Sequence, residues 1–316
     1  MLALVFPGQG SQSVGMGQDL AARFPEAKAT FEEADAALDF RLSKLCFEGP
    51  EDELRRTENT QPAILAVSVA AYRALATRVP LQPALAAGHS LGEYSALVAA
   101  GALSFGDALR VVRARGGFMQ AAVPERVGAM AAVLGLSADL VAEACVDAAH
   151  GEIVAPANMN AADQTVLSGV AAAVERAGAA CKARGAKRVL PLPVSAPFHC
   201  ALMEPARKRM AAVLDHIVLN APAYPVVSNV LALPVQDPAR IKALLLEQIV
   251  APVRWYESVL HMHQVGVRTF VELGPGKVLS GLLRRSTQDC RLLHVEDGTS
   301  LGATLTALAA SPDGAQ

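Results

Sequence analysis

The chain has 316 residues, of which 52% are apolar and 18% are charged, and its formal net charge is −2. This composition supports a sizeable buried core and excludes an intrinsically disordered chain. The balanced charge and an aromatic content of 4% also argue against a protein that binds nucleic acid through a basic, aromatic-rich face.

The five cysteines are scattered along the chain without a C-x-x-C pair, so we expect neither a disulfide framework nor a thiolate zinc site. No apolar run reaches the ~18 residues of a membrane span, and the N-terminal segment lacks the basic region of a signal peptide. We therefore expect a cytoplasmic protein with no membrane partner and no nucleic-acid partner.

The first part of the chain predicts strands and helices in alternation. Residues 2–6 form an apolar run that stops at Pro7-Gly8, which is typical of a buried strand entering a turn. The apolar segment 59–78, with Pro62 in its first turn, predicts an interior helix. Further elements are predicted at 84–87 (strand), 93–100 (helix) and 104–120 (helix, with Ser104 as N-cap).

Between Pro124 and Pro197 the predicted order becomes β-α-β-β-α-β, which is typical of a ferredoxin-like domain. The predicted strands are 128–134, 153–159, 164–169 and 187–192, and the predicted helices are 138–149 and 171–184. We therefore predict a small ferredoxin-like domain at residues 125–196. It would be inserted into a larger domain that consists of residues 1–124 and 197–316.

Beyond residue 197, strands again alternate with helices. The predicted helices are 200–215, 238–248, 255–264 and 277–285, and the predicted strands are 224–228 and 268–273. Strands separated by helices of about 10–15 residues indicate a parallel sheet that is covered on both faces. The larger domain is therefore predicted to be of the α/β class.

The segment Gly88-His89-Ser90-Leu91-Gly92 matches the G-x-S-x-G motif, with a predicted strand before it and a predicted helix after it. In such a nucleophile elbow a tight turn exposes the serine hydroxyl, and the glycines avoid clashes. The helix N-terminus offers free N–H groups to a developing oxyanion. Ser90 is thus the candidate nucleophile in a hydrolase-like α/β fold, and a structural Gly-rich turn is the alternative.

A serine nucleophile needs a base, and the chain has seven histidines. His199 lies in a proline-flanked loop at the predicted domain junction, where a cleft residue is expected. A purely structural loop histidine is the alternative. His89 should point away from Ser90 across the turn. His261 and His263 would diverge on a helix and have no evident third ligand, so no metal site is predicted.

Two other glycine-rich segments imitate nucleotide-binding motifs without completing them. In the first, Ser13 stands where the dinucleotide fingerprint needs its third glycine. The second, Gly274-Pro275-Gly276-Lys277-Val278, lacks the upstream glycine and the Ser/Thr of a P-loop. Both segments are predicted to be turns without a nucleotide phosphate.

Segments from one end of the chain to the other resemble, in the same order, the family of malonyl-CoA:acyl-carrier-protein transacylases of bacterial fatty acid synthesis. The matching segments are Phe6-Pro7-Gly8-Gln9-Gly10-Ser11-Gln12, Gly88-His89-Ser90-Leu91-Gly92-Glu93-Tyr94, Arg115-Gly116, Phe198-His199 and Val271-Glu272-Leu273-Gly274-Pro275-Gly276-Lys277. The resemblance implies transfer of malonyl from malonyl-CoA to the phosphopantetheine thiol of holo acyl carrier protein. It also implies an inserted ferredoxin-like domain and neither a metal nor a cofactor, and we expect a monomer.

The resemblance assigns catalytic roles within a ping-pong reaction. Ser90 becomes the malonyl ester, and His199 acts as general base and then as general acid. The backbone N–H groups of Gln9 and Leu91 form the oxyanion hole. The main-chain carbonyl of Gln248 orients the histidine, so that a peptide oxygen takes the place of the acid in a Ser-His-Asp triad.

Arg115 is the residue whose interpretation the resemblance changes most. From the helix pattern alone it would lie on a solvated helix face together with Arg110 and Arg113. The resemblance instead implies that Arg115 binds the free carboxylate of the malonyl group. A guanidinium suits this role because it binds a carboxylate bidentately and keeps its charge.

Several alternatives share part of this pattern. Acyltransferases of polyketide synthesis or malonate decarboxylation carry the same motifs. A plain serine esterase would need an acidic residue between Ser90 and His199 and gives no role to Arg115 or Gln9. A non-catalytic docking protein for acyl carrier proteins would tolerate the loss of Ser90 or His199, and both residues are present.

Overall fold

The computed structural model describes residues 1–124, 126–194 and 196–310, and it contains both helices and strands. The first elements are β1 (Leu2–Phe6), α1 (Gln18–Arg23), α2 (Pro25–Leu38), α3 (Leu42–Glu48), α4 (Glu51–Arg55), α5 (Thr57–Ala76), β2 (Leu85–Gly88), α6 (Gly92–Ala99) and α7 (Phe105–Gln120). The next are β3 (Gly128–Leu134), α8 (Ala138–Ala149), β4 (Val154–Ala161), β5 (Gln164–Val170), α9 (Ala171–Ala183) and β6 (Arg188–Pro191). The last are α10 (Glu204–Asp215), β7 (Val226–Val227), β8 (Pro234–Val235), α11 (Pro238–Glu247), α12 (Trp255–Gln264), β9 (Thr269–Leu273), α13 (Val278–Ser286), β10 (Arg291–Val295) and α14 (Gly298–Ala309).

The larger sheet has six strands in the order β10-β9-β1-β2-β7-β8. Its pairs β1–β2, β1–β9, β9–β10 and β2–β7 are parallel, whereas β8 returns antiparallel to β7. Parallel neighbours need long crossover connections, and the helices between the strands supply them. The predicted mixed α/β class with a parallel sheet is therefore confirmed.

Alternate residues of β1 face opposite sides of this sheet. Leu4 and Phe6 pack into the core that includes α5, while Ala3 and Val5 pack into the core that includes α12 and α13. Helices thus cover both faces, which explains why β1 is apolar throughout instead of alternating with polar residues.

The second sheet is antiparallel and separate, with four strands in the order β4-β5-β3-β6. Its elements follow each other as β-α-β-β-α-β, the order that the sequence predicted. Helices α8 and α9 pack together on this sheet around a core that includes Val141 and Cys181. The sheet is tied to the larger body where the backbone N–H of Val253 donates to the carbonyl of Ala157 at 2.8 Å. The predicted boundary residue 125 lies outside the described residues.

Several elements differ from the sequence prediction. The interior helix α5 begins at Thr57, so Pro62 lies beyond its first turn. After residue 200, a short 3-10 helix precedes α10, which begins at Glu204 with a proline in its first turn, where no intrahelical N–H is needed. Helices α1–α4 and α14 and strand β10 were not singled out from the sequence. The predicted N-cap at Ser104 is confirmed, since its side chain accepts from the N–H of Asp107.

The carboxyl ends of β1, β2 and β7 meet at one edge of the larger sheet. The loops that follow them carry Gln9, Ser90 and Asn229. In open α/β sheets this edge is the usual place for a ligand site. Within the described ranges, no helix combines the length and the hydropathy that crossing a membrane requires.

Candidate active site

Ser90 lies in a sharp turn between β2 and α6, and its backbone φ is 51°. The turn depends on glycine at both ends. A Cβ at Gly88 would lie 1.9 Å from backbone atoms of Gly92, and a Cβ at Gly92 would lie 2.1 Å from the carbonyl oxygen of Phe6. Only residues without a side chain allow this close approach, and the serine hydroxyl is presented at the tip of the turn.

The imidazole of His199 lies against this hydroxyl, with its Nε2 2.8 Å from Ser90 Oγ. Its other nitrogen, Nδ1, lies 2.8 Å from the main-chain carbonyl oxygen of Gln248. A carbonyl oxygen only accepts hydrogen bonds, so Nδ1 carries the proton of the neutral ring and Nε2 accepts from the Ser90 hydroxyl. This arrangement places a hydroxyl and a proton acceptor in contact.

The surroundings of His199 keep its ring neutral. The side chain is buried, and burial lowers the pKa of His199 to about 3, with a further contribution from the positive charge of Arg115. Both effects disfavour the imidazolium form. At neutral pH Nε2 is therefore unprotonated, and it can act as the proton acceptor for the Ser90 hydroxyl.

The other histidines singled out from the sequence do not contact Ser90 Oγ. The ring of His89 turns away from the elbow, and its Nε2 lies 2.8 Å from Asn160 Oδ1. His261 and His263 lie on α12. Among the described residues, no group of three or more His, Cys, Asp or Glu side chains is arranged to hold a metal ion.

Arg115 is buried in the site and not on a solvated helix face, with a relative exposure of 1%. One terminal nitrogen, Nη2, donates to Ser90 Oγ at 3.1 Å and to Gln248 Oε1 at 2.9 Å. The other, Nη1, donates to Gln61 Oε1 at 2.9 Å. Helix α7 can approach α5 this closely because Gly116 follows Arg115: a Cβ at Gly116 would lie 2.5 Å from the carbonyl oxygen of Thr57.

The guanidinium of Arg115 is held by neutral amide oxygens, and its Nε has no hydrogen-bond partner among the described residues. A buried guanidinium that lines the cavity and makes no salt bridge within the described residues is a good site for a carboxylate, because its charge is desolvated and its fork geometry is fixed. Burial also lowers the pKa of Arg115 from its ordinary value. The group can bind an anion next to the Ser90 hydroxyl.

Two backbone N–H groups beside Ser90 are free. Those of Gln9 and Leu91 donate to no acceptor among the described residues. Gln9 lines the same cavity as Ser90, and Leu91 is the N-cap residue of α6. Free N–H groups at a helix N-terminus are suited to stabilising negative charge on an oxygen.

A layer of hydrogen bonds beneath the turn holds these groups, and two of its members, Asn229 and Glu93, were given no role from the sequence. Asn229 Oδ1 accepts from the N–H of Ser90 at 2.7 Å, and Asn229 Nδ2 donates to the carbonyl of Gly88 at 2.6 Å. Glu93 Oε2 accepts from Gln248 Nε2 at 2.7 Å and from the N–H of Asn229 at 3.1 Å. Glu93 lay within a recognised motif, whereas no motif or periodicity marks Asn229.

The reacting groups line a cavity of about 110 Å³, whose walls include Met119, Met130, Leu192 and Phe198. This volume is small beside the ~300–1,000 Å³ of sites for drug-sized ligands, so it suits a short acyl group and not a long fatty acyl chain. A larger cleft of about 860 Å³ shares Gln9 and Val194 with it. The cleft gives an extended substituent a route to the cavity.

The glycine-rich segment 274–278 forms a turn between β9 and α13 and lies outside this cavity. Glu272, in the same motif, is buried and accepts from the N–H groups of Leu279 and Ser280 at 2.9 and 2.7 Å. A carboxylate at this position satisfies the free donors of the first turn of α13. The motif therefore contributes to the fold rather than to the cavity.

Known proteins share both the sequence and the fold of this chain. The acyl transferase domain family matches residues 3–304. The malonyl CoA-acyl carrier protein transacylase of Escherichia coli (strain K12) is 50% identical over 303 residues, which cover 96% of this chain and 98% of the relative. The Bacillus subtilis (strain 168) protein of the same name is 45% identical over 315 residues, covering 99% of each chain.

Solved structures match over nearly the full length. An acyl carrier protein S-malonyltransferase from Vibrio cholerae has a TM-score of 0.94 and 50% identity, covering 96% of this chain and 99% of that one. A malonyl-transacylase in complex with a type II PKS acyl-carrier protein has a TM-score of 0.95 and 48% identity, covering 97% and 99%. With the geometry above, these matches show that the chain belongs to the acyl transferase domain family, among its malonyl CoA-acyl carrier protein transacylases.

Proposed function

We propose that this protein transfers the malonyl group from malonyl-CoA to the phosphopantetheine thiol of holo acyl carrier protein, through a malonyl ester on Ser90. One observation carries the proposal: Ser90 Oγ lies 2.8 Å from His199 Nε2 and 3.1 Å from the guanidinium of Arg115. The nucleophilic oxygen therefore contacts both its base and a cation that can bind the free carboxylate of the malonyl group. The names of the relatives support the same donor and acceptor.

In the first half-reaction, Ser90 Oγ attacks the thioester carbonyl carbon and its proton passes to His199 Nε2. The carbonyl oxygen becomes an oxyanion that accepts from the N–H groups of Gln9 and Leu91. The carbonyl of Gln248 stabilises the imidazolium through Nδ1–H, as the carboxylate does in a Ser-His-Asp triad. The C–S bond then breaks, and the CoA thiolate takes the proton from His199.

The second half-reaction reverses these steps with a different thiol. His199 removes the proton of the phosphopantetheine thiol, and the thiolate attacks the ester carbonyl of the malonyl-Ser90 intermediate. The C–O bond breaks and Ser90 Oγ regains the proton from His199. Since the same acid and base serve both halves, neither a metal nor a cofactor is needed in this scheme.

Arg115 determines which acyl group the site accepts. A malonyl carboxylate in the cavity would accept hydrogen bonds from the guanidinium of Arg115, and these replace the hydrogen bonds to water that the carboxylate loses on binding. Burying this anion without a counter-charge would cost several kcal/mol. The small cavity and the buried cation together select a short acyl group with a negative end.

The contacts of His199 weigh against the esterase alternative. Such an enzyme would place an acidic side chain at Nδ1, where this chain has the peptide oxygen of Gln248. Service in polyketide synthesis or malonate decarboxylation would use the same chemistry with a different carrier. We propose the fatty acid carrier as the physiological acceptor, and a comparison of carriers as substrates tests this choice.

We also propose that the four-stranded unit is a ferredoxin-like domain at residues 125–196, inserted into a hydrolase-like body. The strand order β4-β5-β3-β6, with both helices packed on the sheet, supports this description. The catalytic cavity has walls from both parts, since Met130 lies on β3 and Ser90 follows β2. The monomeric state and the cytoplasmic location stay predictions from the sequence.

The intact mass of the protein after incubation with malonyl-CoA tests the proposed function. We expect one malonyl adduct, which disappears when phosphopantetheinylated carrier is added and reappears as malonyl on the carrier. The apo carrier, which lacks the thiol, is the matched control and should leave the adduct in place. An adduct that is lost at the same rate with either carrier would indicate hydrolysis, and the absence of any adduct would contradict the proposal.

A further inference from the structure

We propose that Glu93 is a positioning residue for malonyl recognition: its carboxylate fixes the side chain of Gln248, which in turn holds Arg115 beside Ser90. This inference rests on the proposed function, since it concerns how the malonyl carboxylate is received. Glu93 does not line the cavity, so it acts through Gln248 and does not touch the substrate.

Glu93 is buried on α6, directly below the Ser90 turn, with a relative exposure of 4%. Its Oε2 accepts from Gln248 Nε2 at 2.7 Å and from the backbone N–H of Asn229 at 3.1 Å. Both partners of Oε2 are N–H donors, and an ionised carboxylate accepts hydrogen bonds and donates none. The amide nitrogen of Gln248 is therefore the end that must face Glu93.

The orientation of the Gln248 amide determines whether its oxygen or its nitrogen faces the guanidinium of Arg115. With Nε2 held by Glu93 and lying 3.1 Å from the carbonyl oxygen of Ser90, Oε1 faces the guanidinium and accepts from it at 2.9 Å. A flipped amide would place an oxygen against the carboxylate and an NH2 group against a cation. Both contacts would be repulsive, so Glu93 excludes the flipped state.

Gln248 links this orientation to the catalytic pair as well. Its main-chain carbonyl receives the Nδ1–H of His199 at 2.8 Å, while its side chain holds Arg115. Glu93 also accepts from the backbone of Asn229, whose side chain accepts from the N–H of Ser90. One buried carboxylate therefore braces Gln248 and Asn229, the two residues that hold the cation and the serine turn.

The balance of charge supports the same role. Arg115 is buried among neutral amide oxygens, and Glu93 is the carboxylate whose charge acts on it across the Gln248 amide. Because the Gln248 amide separates the two charges, Glu93 stabilises the guanidinium electrostatically without forming a salt bridge with it. Arg115 lines the cavity, so its guanidinium remains available for the carboxylate of the substrate.

The test compares Glu93→Ala, Glu93→Gln and the wild type in single-turnover acylation by malonyl-CoA and by acetyl-CoA. We expect Glu93→Ala to lower the malonyl-to-acetyl ratio about tenfold or more, because only malonyl needs Arg115 in place. Glu93→Gln still offers an amide oxygen to Gln248 and to Asn229, so it should restore the ratio to within about threefold. Glu93→Asp, which retains the charge but reaches less far, should lower the ratio in the same direction if the alanine variant does not fold.

Glu272→Ala is the matched control, since it removes a second buried carboxylate that accepts two backbone N–H bonds outside the cavity. It should leave the ratio unchanged. Glu93→Ala combined with Arg115→Ala should lower the ratio no further than Arg115→Ala alone, because the two residues act in one chain of contacts.

The outcomes separate this inference from the proposed function. A wild-type protein that forms no malonyl adduct contradicts the proposed function itself. A wild type that is acylated normally, together with a Glu93→Ala protein that keeps the wild-type ratio, overturns only the inference. Additive losses in the double variant, or a Glu93→Gln ratio as low as that of Glu93→Ala, would also overturn it.

Discussion

Ser90 and His199 meet with both backbones in the left-handed region, at φ values of 51° and 59°. Their side chains join at 2.8 Å, although the residues lie 109 positions apart. Non-glycine residues adopt this conformation at a cost of about 1–3 kcal/mol each, and they do so mostly at functional sites. Two such residues in direct contact indicate that the surrounding structure enforces the geometry that the pair needs.

Ser90→Ala should abolish the covalent malonyl adduct while leaving the fold intact. The change removes one oxygen from a turn whose backbone is held by Asn229, so we expect the free energy of unfolding to change by no more than about 1 kcal/mol. Intact mass spectrometry and urea unfolding measure the two effects. An adduct formed at full yield by this variant would place the nucleophile elsewhere.

His199→Ala should slow the acylation of Ser90 by about 10²–10⁴-fold, since a neutral hydroxyl without its base is a weak nucleophile. His261→Ala and His263→Ala, both on α12, are the controls and should retain nearly wild-type rates. Rapid-quench measurement of adduct formation checks the three variants. Equal losses in all three would show that the effect is not specific to the base.

Gly92→Ala should disrupt the elbow, because the new Cβ would lie 2.1 Å from the carbonyl oxygen of Phe6 and 2.9 Å from that of Pro7. These are backbone atoms that cannot rotate away, so we expect a loss of stability of at least ~1–3 kcal/mol together with a loss of acylation. Gly281→Ala, in α13 with open space around its Cβ position, is the control and should stabilise the protein slightly. Thermal unfolding of both variants tests the contrast.

Much of this architecture could be predicted from local patterns. The bounds of β3, α8 and α12 match the predicted ranges, because each has clear periodicity and recognisable ends. Strand β7 is only Val226–Val227, shorter than predicted, since the pairing available in the fold and not the apolar run sets its length. Helices α1, α3 and α4 have only 6, 7 and 5 residues, which is too short for a clear helical periodicity.

Only part of the site could be predicted from the sequence. Ser90 stands in a motif with its own physical signature, whereas Arg115 has the same helical pattern as the solvated Arg110. Tertiary contacts distinguish Arg115. Gly116 allows α7 to approach α5, and the side-chain oxygens of Gln61 and Gln248 accept hydrogen bonds from the guanidinium. Contacts between residues more than 50 positions apart leave no periodic trace, so the motif match alone identified this residue.

The stability of the protein should depend on pH through Glu93. Burial raises the pKa of Glu93 from 4.5 to about 7. Between these values the folded state holds a proton that the unfolded chain has lost, so the folded state loses stability as pH rises, and the full cost is present above about pH 7. Glu93→Gln removes this titration. The free energy of unfolding of the variant, relative to that of the wild type, should therefore rise by about 1–3 kcal/mol from pH 5 to pH 8.

Urea unfolding of both proteins at the two pH values measures this difference. Glu175→Gln, which removes an exposed carboxylate on α9, is the matched control. A wild-type-to-variant difference that stays constant from pH 5 to pH 8 would contradict the raised pKa of Glu93.

The selectivity of Arg115→Ala for malonyl-CoA over acetyl-CoA tests most directly the claim that a buried guanidinium receives the substrate carboxylate. Truncating one partner of a buried charge pair costs roughly 2–5 kcal/mol, or about 30- to 5,000-fold in malonyl acylation. Acetyl-CoA has no carboxylate and should lose much less. Arg115→Lys should recover only part of the ratio, because an ammonium cannot reproduce the bidentate fork.

Arg113→Ala is the matched control, since Arg113 lies on the same helix but packs over the ring of Phe40, outside the cavity. The measurement is the ratio of the two single-turnover acylation rates in the wild type and in each variant. We predict that the ratio falls at least about 30-fold in Arg115→Ala, since a truncated buried charge pair loses at least ~2 kcal/mol, and that it stays unchanged in Arg113→Ala. Equal losses for malonyl and acetyl in Arg115→Ala would contradict it, because the residue would then support the fold and not the carboxylate.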